Sequence, residues 1–426
     1  MEQLVKQNRT LKSRRVAFTL GDNAKYRKLI IRLLAELDDA CIELIEWDEH
    51  LLLGQRDAQL TGQIVVHDPS FYKDVIMGGS IGAAEAFIDG KWTSPNLTKL
   101  IQVMARNQAK LDEIESKMAW LSRIKNLFIR QKNSNTQQGS KRNILAHYDI
   151  GNELYQRFLD NSMLYSCAVY SDEAKSLAEA QQNKMRTICE KLALKESDHV
   201  IEIGTGWGGL AIYMATHYGC QVTTTTISEA QHEFAQQSII KAGLSDKITL
   251  LKQDYRLLQG QYDKLVSIEM IEAVGHEYLP TFFDTCNKLL KADGKMLLQA
   301  ITISDARYDK YRKSTDFIQK YIFPGGCLPS VAVMAKHLAE RTDMVICDIE
   351  DIGLHYARTL NDWRIAFEQR WTELAELGYS DTFKRLWLFY FCYCEGAFKE
   401  RVISTHHIVS RKPRYLGAGD ETVLDY

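Results

Sequence analysis

The sequence predicts an α/β protein: a parallel sheet with helices on both faces, preceded by a smaller N-terminal α+β module. Three observations carry that reading. From residue 141 onward strand-like apolar runs alternate with helical patterns, the order that builds a parallel sheet through crossover connections. The stretch EIGTGWGGL, 202–210, sets Gly204, Gly206 and Gly209 in G-x-G-x-x-G spacing between a strand and a helix, where the chain must turn tightly at the carboxyl end of the sheet. Pro280 is the sole proline between 96 and 323, so little breaks the pattern.

The elements follow in order. QIVVHD reads as a strand closed by a turn at Asp68, Pro69 and Ser70. MGGSIGAAEAFIDGKW, 77–92, reads as a glycine-rich turn, a short helix and another turn. Ile101, Met104, Leu111, Ile114, Met118, Leu121, Ile124 and Phe128 recur at helical spacing and predict one amphipathic helix. Further on, SLAEAQQNKMRTICEKLAL reads as a helix, HVIEIG as a buried strand and LAIYMATHYG as a helix. CQVTTTTIS is the next strand, and SEAQHEFAQQSIIKAG a helix capped by Ser228. KITLLKQD, YDKLVSIEM and KMLLQAITI complete the strands that the pattern gives.

A chain of 426 residues is long for one domain. We divide it into an N-terminal domain over 1–120, a basic linker over 121–143 and a catalytic domain over 144–426. The linker carries Arg123, Lys125, Arg130, Lys132, Lys141 and Arg142 and no acid. Those charges read either as a solvated tether or as a contact with anionic lipid headgroups beside Leu127 and Phe128.

Hydrophobic residues at 45% and charged residues at 25% give the profile of a soluble globular protein. The net charge of −2 supplies no general attraction to nucleic acid. The opening MEQLVKQNRTLKSRRVAF has no apolar signal core, and LWLFYFCYC, 386–394, is too short to span a bilayer. A cytoplasmic location is therefore expected. The nine cysteines are scattered, without zinc-site spacing, and are read as reduced thiols; no metal is expected.

The glycine turn by itself fits either a nicotinamide dinucleotide or S-adenosylmethionine. A dinucleotide site also wants an acid about 20 residues on for the ribose. The chain has TTTTIS there instead, which weighs against the dinucleotide without deciding the matter.

Longer stretches decide it. YSCAVYSDE, EIGTGWGG, TTISEAQ, EMIEAVGHEY, YIFPGGCLPS and HYDIGNELY occur in an order that resembles the cyclopropane-fatty-acyl-phospholipid synthase family. FYKDVIMGGSIGAAEAFIDGKW resembles its N-terminal domain, so the likeness covers nearly the whole chain. It implies a seven-stranded class I methyltransferase (Rossmann-like) sheet and S-adenosylmethionine as donor. It further implies unsaturated phospholipid acyl chains as substrate, peripheral membrane contact, a homodimer and a bicarbonate ion as base.

The reaction sets the requirements. An alkene is a poor nucleophile, so the sulfonium methyl must be held over the double bond. The resulting carbocation needs a dry cavity with aromatic faces, and a base must take a proton from the transferred methyl. By the resemblance, Cys167, Glu272, the backbone at Ile301 and Tyr356 hold the bicarbonate. A histidine common in the family is Gln299 here, as in the plant cyclopropane synthases. Glutamine can donate to an oxyanion but does not titrate, which leaves open whether the product is a ring, a methylene branch or a methyl branch. Beside an anion, Glu272 is expected to hold a proton or to accept one from the bicarbonate.

On the donor side the resemblance places Tyr165, Ser166, Gly204, Gly206, Thr226, Ile227 and Gln231. Asp254 and Tyr255 match the adenine site, with Ile268 packed against it. Trp207 is read as packing the helix or touching substrate, and Glu269 as a site carboxylate or a solvated acid. Tyr390, Phe391 and Cys394 are candidates to line the acyl channel. Two rival readings are a branching methyltransferase and a catalytically idle lipid binder.

Overall fold

A computed structural model describes residues 21–111 and 151–417. The expected linker, and the helical pattern beyond residue 111, lie outside the described residues.

The N-terminal unit is a four-stranded sheet in the order β2-β1-β3-β4, formed by β1 (Cys41–Glu46), β2 (Glu49–Gly54), β3 (Thr61–Val66) and β4 (Trp92–Thr93). β1 runs antiparallel to β2 and parallel to β3. Helices Ala24–Ala35, Ser70–Ile88 and Leu97–Arg106 accompany it. The glycine-rich turn expected at 77–92 is instead a kink within Ser70–Ile88. Helix continues on both sides of Gly79, whose φ of 58° and ψ of −141° only glycine adopts readily. The long helix expected from Ile101 is interrupted at Asn107, after Arg106, and helical structure resumes over 108–111, where the described residues end. The Asn107 side chain takes over the local hydrogen bonding there, donating to Val103 O and Asp38 O and accepting from Asp38 N.

The second sheet has seven strands in the order β10-β11-β9-β8-β5-β6-β7. They are β5 (His199–Ile203), β6 (Gln221–Thr226), β7 (Ile248–Lys252), β8 (Tyr262–Ile268), β9 (Leu290–Ile303), β10 (Val345–Asp351) and β11 (Ile403–Arg411). Side chains alternate between two apolar layers, as strands covered on both faces require. Ile201, Leu265, Met296, Leu298 and Ile408 enter the layer under helices Leu279–Leu289 and Val331–Arg341. Val200, Val222, Val266, Leu297 and Val409 enter the layer under Leu177–Leu192 and Gly209–Tyr218. Ser176 closes a capping box with Glu179, and Ser228 caps helix Glu229–Lys241 as expected.

The sheet is not wholly parallel. β11 lies antiparallel between β9 and β10, so the expectation of a parallel sheet is corrected at this edge. The chain returns through β11 directly from helix Asp381–Lys399, and that hairpin-like route sets His407 opposite Gln299.

The two units share a face. Thr98 Oγ1 donates to Glu395 Oε2 at 2.8 Å, and Arg106 Nε to Glu400 Oε2 at 3.0 Å. All nine cysteines are free thiols. Among the described residues no helix is long and apolar enough to cross a membrane, and no group of side chains could hold a metal ion.

Candidate active site

A cavity of about 1030 Å³ opens at the carboxyl ends of β5, β6, β8 and β9, where ligands bind in open α/β sheets. It extends past the glycine turn to helix Asp381–Lys399 and the N-terminal sheet.

The glycine turn is built for close backbone approach. Gly204 and Gly206 have φ of 104° and 55°, and a Cβ at Gly209 would sit 2.3 Å from Ser162 O. All ten residues placed on the donor side line the cavity: Tyr165, Ser166, Gly204, Gly206, Thr226, Ile227, Gln231, Asp254, Tyr255 and Ile268. Thr226 Oγ1 donates to Gln231 Oε1 at 2.9 Å, which leaves the Gln231 amino group for another acceptor. Asp254 is committed to Arg256, whose Nη2 donates to it at 2.6 Å, and Tyr255 packs edge-on against Phe282. Trp207 lines the cavity and also packs at a tilt against Tyr155, with ring centroids 4.8 Å apart, while its Nε1 donates to Asn152.

Two buried ionisable groups here were missed in the sequence. Glu202, just before the turn, is buried, and burial raises its carboxyl to about 8 even though Thr224 donates to it at 2.6 Å. Lys184, wholly buried, donates to Ser166 Oγ at 2.6 Å and is lowered to about 8, again by burial. S-adenosylmethionine fits this wall. Its ammonium would complete the poorly solvated Glu202, the glycine backbone would meet its carboxylate, and Ile227 and Ile268 offer flat apolar contact.

Next to these residues one carboxylate gathers the predicted groups. Glu269 Oε1 accepts from Cys167 N at 2.9 Å and from Gln299 Nε2 at 2.7 Å; Oε2 accepts from the Tyr356 hydroxyl at 2.7 Å. Because Glu269 only accepts, the Gln299 amino group must face it. The Gln299 oxygen then accepts from His407 Nε2, 2.9 Å away. Glu269 itself sits at φ 49°, the left-handed region that disfavours a residue with a Cβ. It was left between two readings in the sequence; it is a site carboxylate.

Glu272 Oε1 accepts from the Ile301 backbone, while its buried Oε2 has no partner among the described residues. Burial first, then the neighbouring Glu269, raise its carboxyl to about 8. Burial raises Glu269 as well, but three donors oppose it. Of the two, Glu272 is the one whose surroundings favour the protonated form.

Two expectations change. The Cys167 thiol is turned away, donating to Ala168 O at 3.2 Å, and burial holds it well above its usual range. Cys167 contributes its backbone N–H only. The bicarbonate implied by the resemblance does not fit. Its seat among Cys167 N, Gln299 and Tyr356 is filled by Glu269, and a second anion there would face an existing carboxylate without donors of its own.

The remaining wall is apolar. Tyr390 and Cys394 line the cavity, joined by Phe389, Tyr393 and Phe398. Phe391 does not. It lies a third of a turn away from Tyr390 and is wholly buried against Phe158, Phe367 and Trp387. Leu34, Ile64, Trp92, Ile101 and Met104 close the far end.

The strand order, with one antiparallel strand second from the edge and a glycine turn at its centre, is that of a class I, Rossmann-like methyltransferase. The chain belongs to the mycolic acid cyclopropane synthetase family, which matches residues 135–408. It is 38% identical over 353 residues to the cyclopropane-fatty-acyl-phospholipid synthase of Escherichia coli, covering 81% of this chain and 87% of that one. It is 36% identical over 335 residues to a tuberculostearic acid methyltransferase of Mycobacterium tuberculosis, covering 77% and 78%. Its fold matches a mycolic acid cyclopropane synthase solved with SAH and CTAB, at TM-score 0.59 and 28% identity, over 64% of this chain and 98% of that one.

Proposed function

We propose that this protein transfers a methylene group from S-adenosylmethionine to the cis double bond of phospholipid acyl chains and so forms a cyclopropane. The observation that carries the reading is the continuity of one cavity. The glycine turn, the Glu269–Glu272 pair and an apolar sleeve of acyl-chain character all open into it.

S-adenosylmethionine supplies an activated methyl at this wall. The chain's own residues do the rest. Glu202 and Gln231 fix the donor's polar end. The sleeve aligns the acyl chain, so positioning supplies much of the rate. Tyr165 and Tyr390, whose hydroxyls lie 2.9 Å apart, and Phe323 present aromatic faces to developing positive charge and keep water out.

The N-terminal domain, the linker and exposed residues such as Met77 at the cavity mouth would make peripheral contact with a bilayer from the cytoplasm. A homodimer, the division at 120 and 143, and the roles of the site residues belong to the same proposal. A second reading, a methylene- or methyl-branched product, is favoured by the similarity to a tuberculostearic acid methyltransferase.

Incubating the protein with labelled donor and unsaturated phospholipid vesicles tests the reading. Label in lipid with cyclopropyl proton signals in NMR is expected. Olefinic methylene or branched methyl signals would establish the second reading, and unlabelled lipid would defeat both.

A further inference from the structure

We propose that Glu269 is the resident base of this site, its carboxylate occupying the seat that Cys167 N, Gln299 and Tyr356 would otherwise offer to a small oxyanion. The inference rests on the lipid-methylenation reading and deepens it. Three donors from three separate segments converge on this one side chain at 2.7–2.9 Å. A salt-bridging or purely structural acid would not need them, since the group lines the cavity and could be solvated from it. Its backbone is held at φ 49°, where glycine would be unstrained. This local strain is borne at a position whose side chain faces the reaction space.

A carboxylate offers about four acceptor positions, and three are filled. The fourth, on Oε2, is left for a proton. Burial, with no partner for its Oε2 among the described residues, favours the protonated form of the neighbouring Glu272, whereas three donors favour the charged form of Glu269. The step then balances. The alkene's π pair forms the bond to the methyl carbon as the carbon–sulfur bond breaks, and sulfur keeps that pair. Glu269 takes a proton from the transferred methyl, and the freed C–H pair closes the ring onto the cationic carbon. The proton later leaves Glu269 for water, so one alkene and one sulfonium give one cyclopropane, one thioether and one proton.

The experiment compares wild type, Glu269→Gly and Glu269→Gln in buffer purged of carbon dioxide, with and without added bicarbonate. Wild-type turnover should be indifferent to bicarbonate. Glu269→Gly relieves the backbone and empties the seat; it should lose about 10²–10⁴-fold, the span of general-base contributions, and recover in part with bicarbonate. Glu269→Gln keeps the seat filled and should stay inactive in both conditions. ¹³C-bicarbonate NMR of the donor-free proteins should show binding to Glu269→Gly alone, and S-adenosylhomocysteine calorimetry should show that all three remain folded. Wild-type turnover that collapses without bicarbonate, ¹³C-bicarbonate bound to wild type, or an active Glu269→Gln would overturn the proposal. A wild type that labels no lipid defeats the functional reading instead, and the ¹³C experiment still decides whether the seat is filled.

Discussion

The Tyr356 hydroxyl donates to Glu269 Oε2 at 2.7 Å, tying helix Gly353–Gln369 to the end of β8. Both partners face the cavity. A hydrogen bond to an ionised group contributes about 1.5–3 kcal/mol, so Tyr356→Phe should lower kcat by about 10–100-fold. It should leave S-adenosylhomocysteine affinity within about tenfold, since neither partner is among the donor-side residues. The pH profile carries the specific signature. This bond favours the charged carboxylate and opposes the rise caused by burial. Its loss raises the Glu269 pKa further, and the acid limb of kcat/KM should move to higher pH. A profile that only shrinks, without moving, would show that Tyr356 acts through something other than Glu269.

Glu272→Gln separates stability from activity. In the folded protein this carboxyl is raised to about 8 from an ordinary 4.5. The folded state therefore keeps a proton that the unfolded chain has already lost. Folding stability falls as pH rises from about 4.5 through 8, by up to about 1.4 kcal/mol per unit for such a group. An amide has no such loss. The thermal midpoint of Glu272→Gln should exceed that of wild type by more at pH 9 than at pH 5, while turnover falls far less than in Glu269→Gln, since the amide stands in for a carboxyl that is already neutral, and donor affinity stays within about tenfold. Equal midpoint differences at both pH values would place the proton elsewhere.

What could be read in advance divides along physical lines. The glycine turn, the capped helices and the buried strands are local, and periodicity and capping chemistry report them directly. Seven of the ten donor-side residues reach the cavity because they sit at strand ends and the turns that follow, which a doubly wound sheet gathers at one edge; Tyr165 and Ser166 come from the segment before helix Leu177–Leu192, and Gln231 from the first turn of helix Glu229–Lys241. Glu269 was not legible in this way. An acid one residue beyond a strand reads equally as solvated or buried, and only the approach of Cys167 and Tyr356 from distant segments settles it. His407 was invisible for the same reason: its meaning depends on the antiparallel pairing with Gln299, which no local pattern encodes. Phe391 was misplaced because a helix that is aromatic all round hides which side faces the cavity.

Glu202 predicts a proton count. Its carboxyl, raised to about 8 by burial, is largely protonated in the donor-free protein at pH 7. An ammonium group brought beside it favours the charged form and lowers its pKa. Binding of S-adenosylhomocysteine, which carries that ammonium, should release up to about one proton at pH 7. Calorimetry in buffers of different ionisation enthalpy measures it. Glu202→Gln should bind with no such dependence on buffer. Proton uptake by wild type would mean that the ligand's ammonium lies elsewhere.

The last prediction concerns the seam between the two units. Gly396, on helix Asp381–Lys399, faces helix Leu97–Arg106 so closely that a Cβ would sit 2.7 Å from Ile101 Cγ2, 2.8 Å from its Cβ and 3.1 Å from Thr98 O. Two effects oppose each other in Gly396→Ala. Helix propensity alone would stabilise by about 1 kcal/mol, and crowding would destabilise by about 1–3 kcal/mol. The contact includes a branch-point carbon and a backbone oxygen, which cannot swing aside as a chain end can, so crowding should win. Both Gly396→Ala and Gly396→Val should lower the thermal midpoint, the second by more. The displacement falls beside Ile101, which lines the apolar end of the cavity, and beside the Thr98–Glu395 hydrogen bond. Lipid KM should therefore rise while S-adenosylhomocysteine affinity holds. An Ala variant more stable than wild type would show that the two helices do not press together at this glycine, and the shared sleeve for the acyl chain would lose its structural basis.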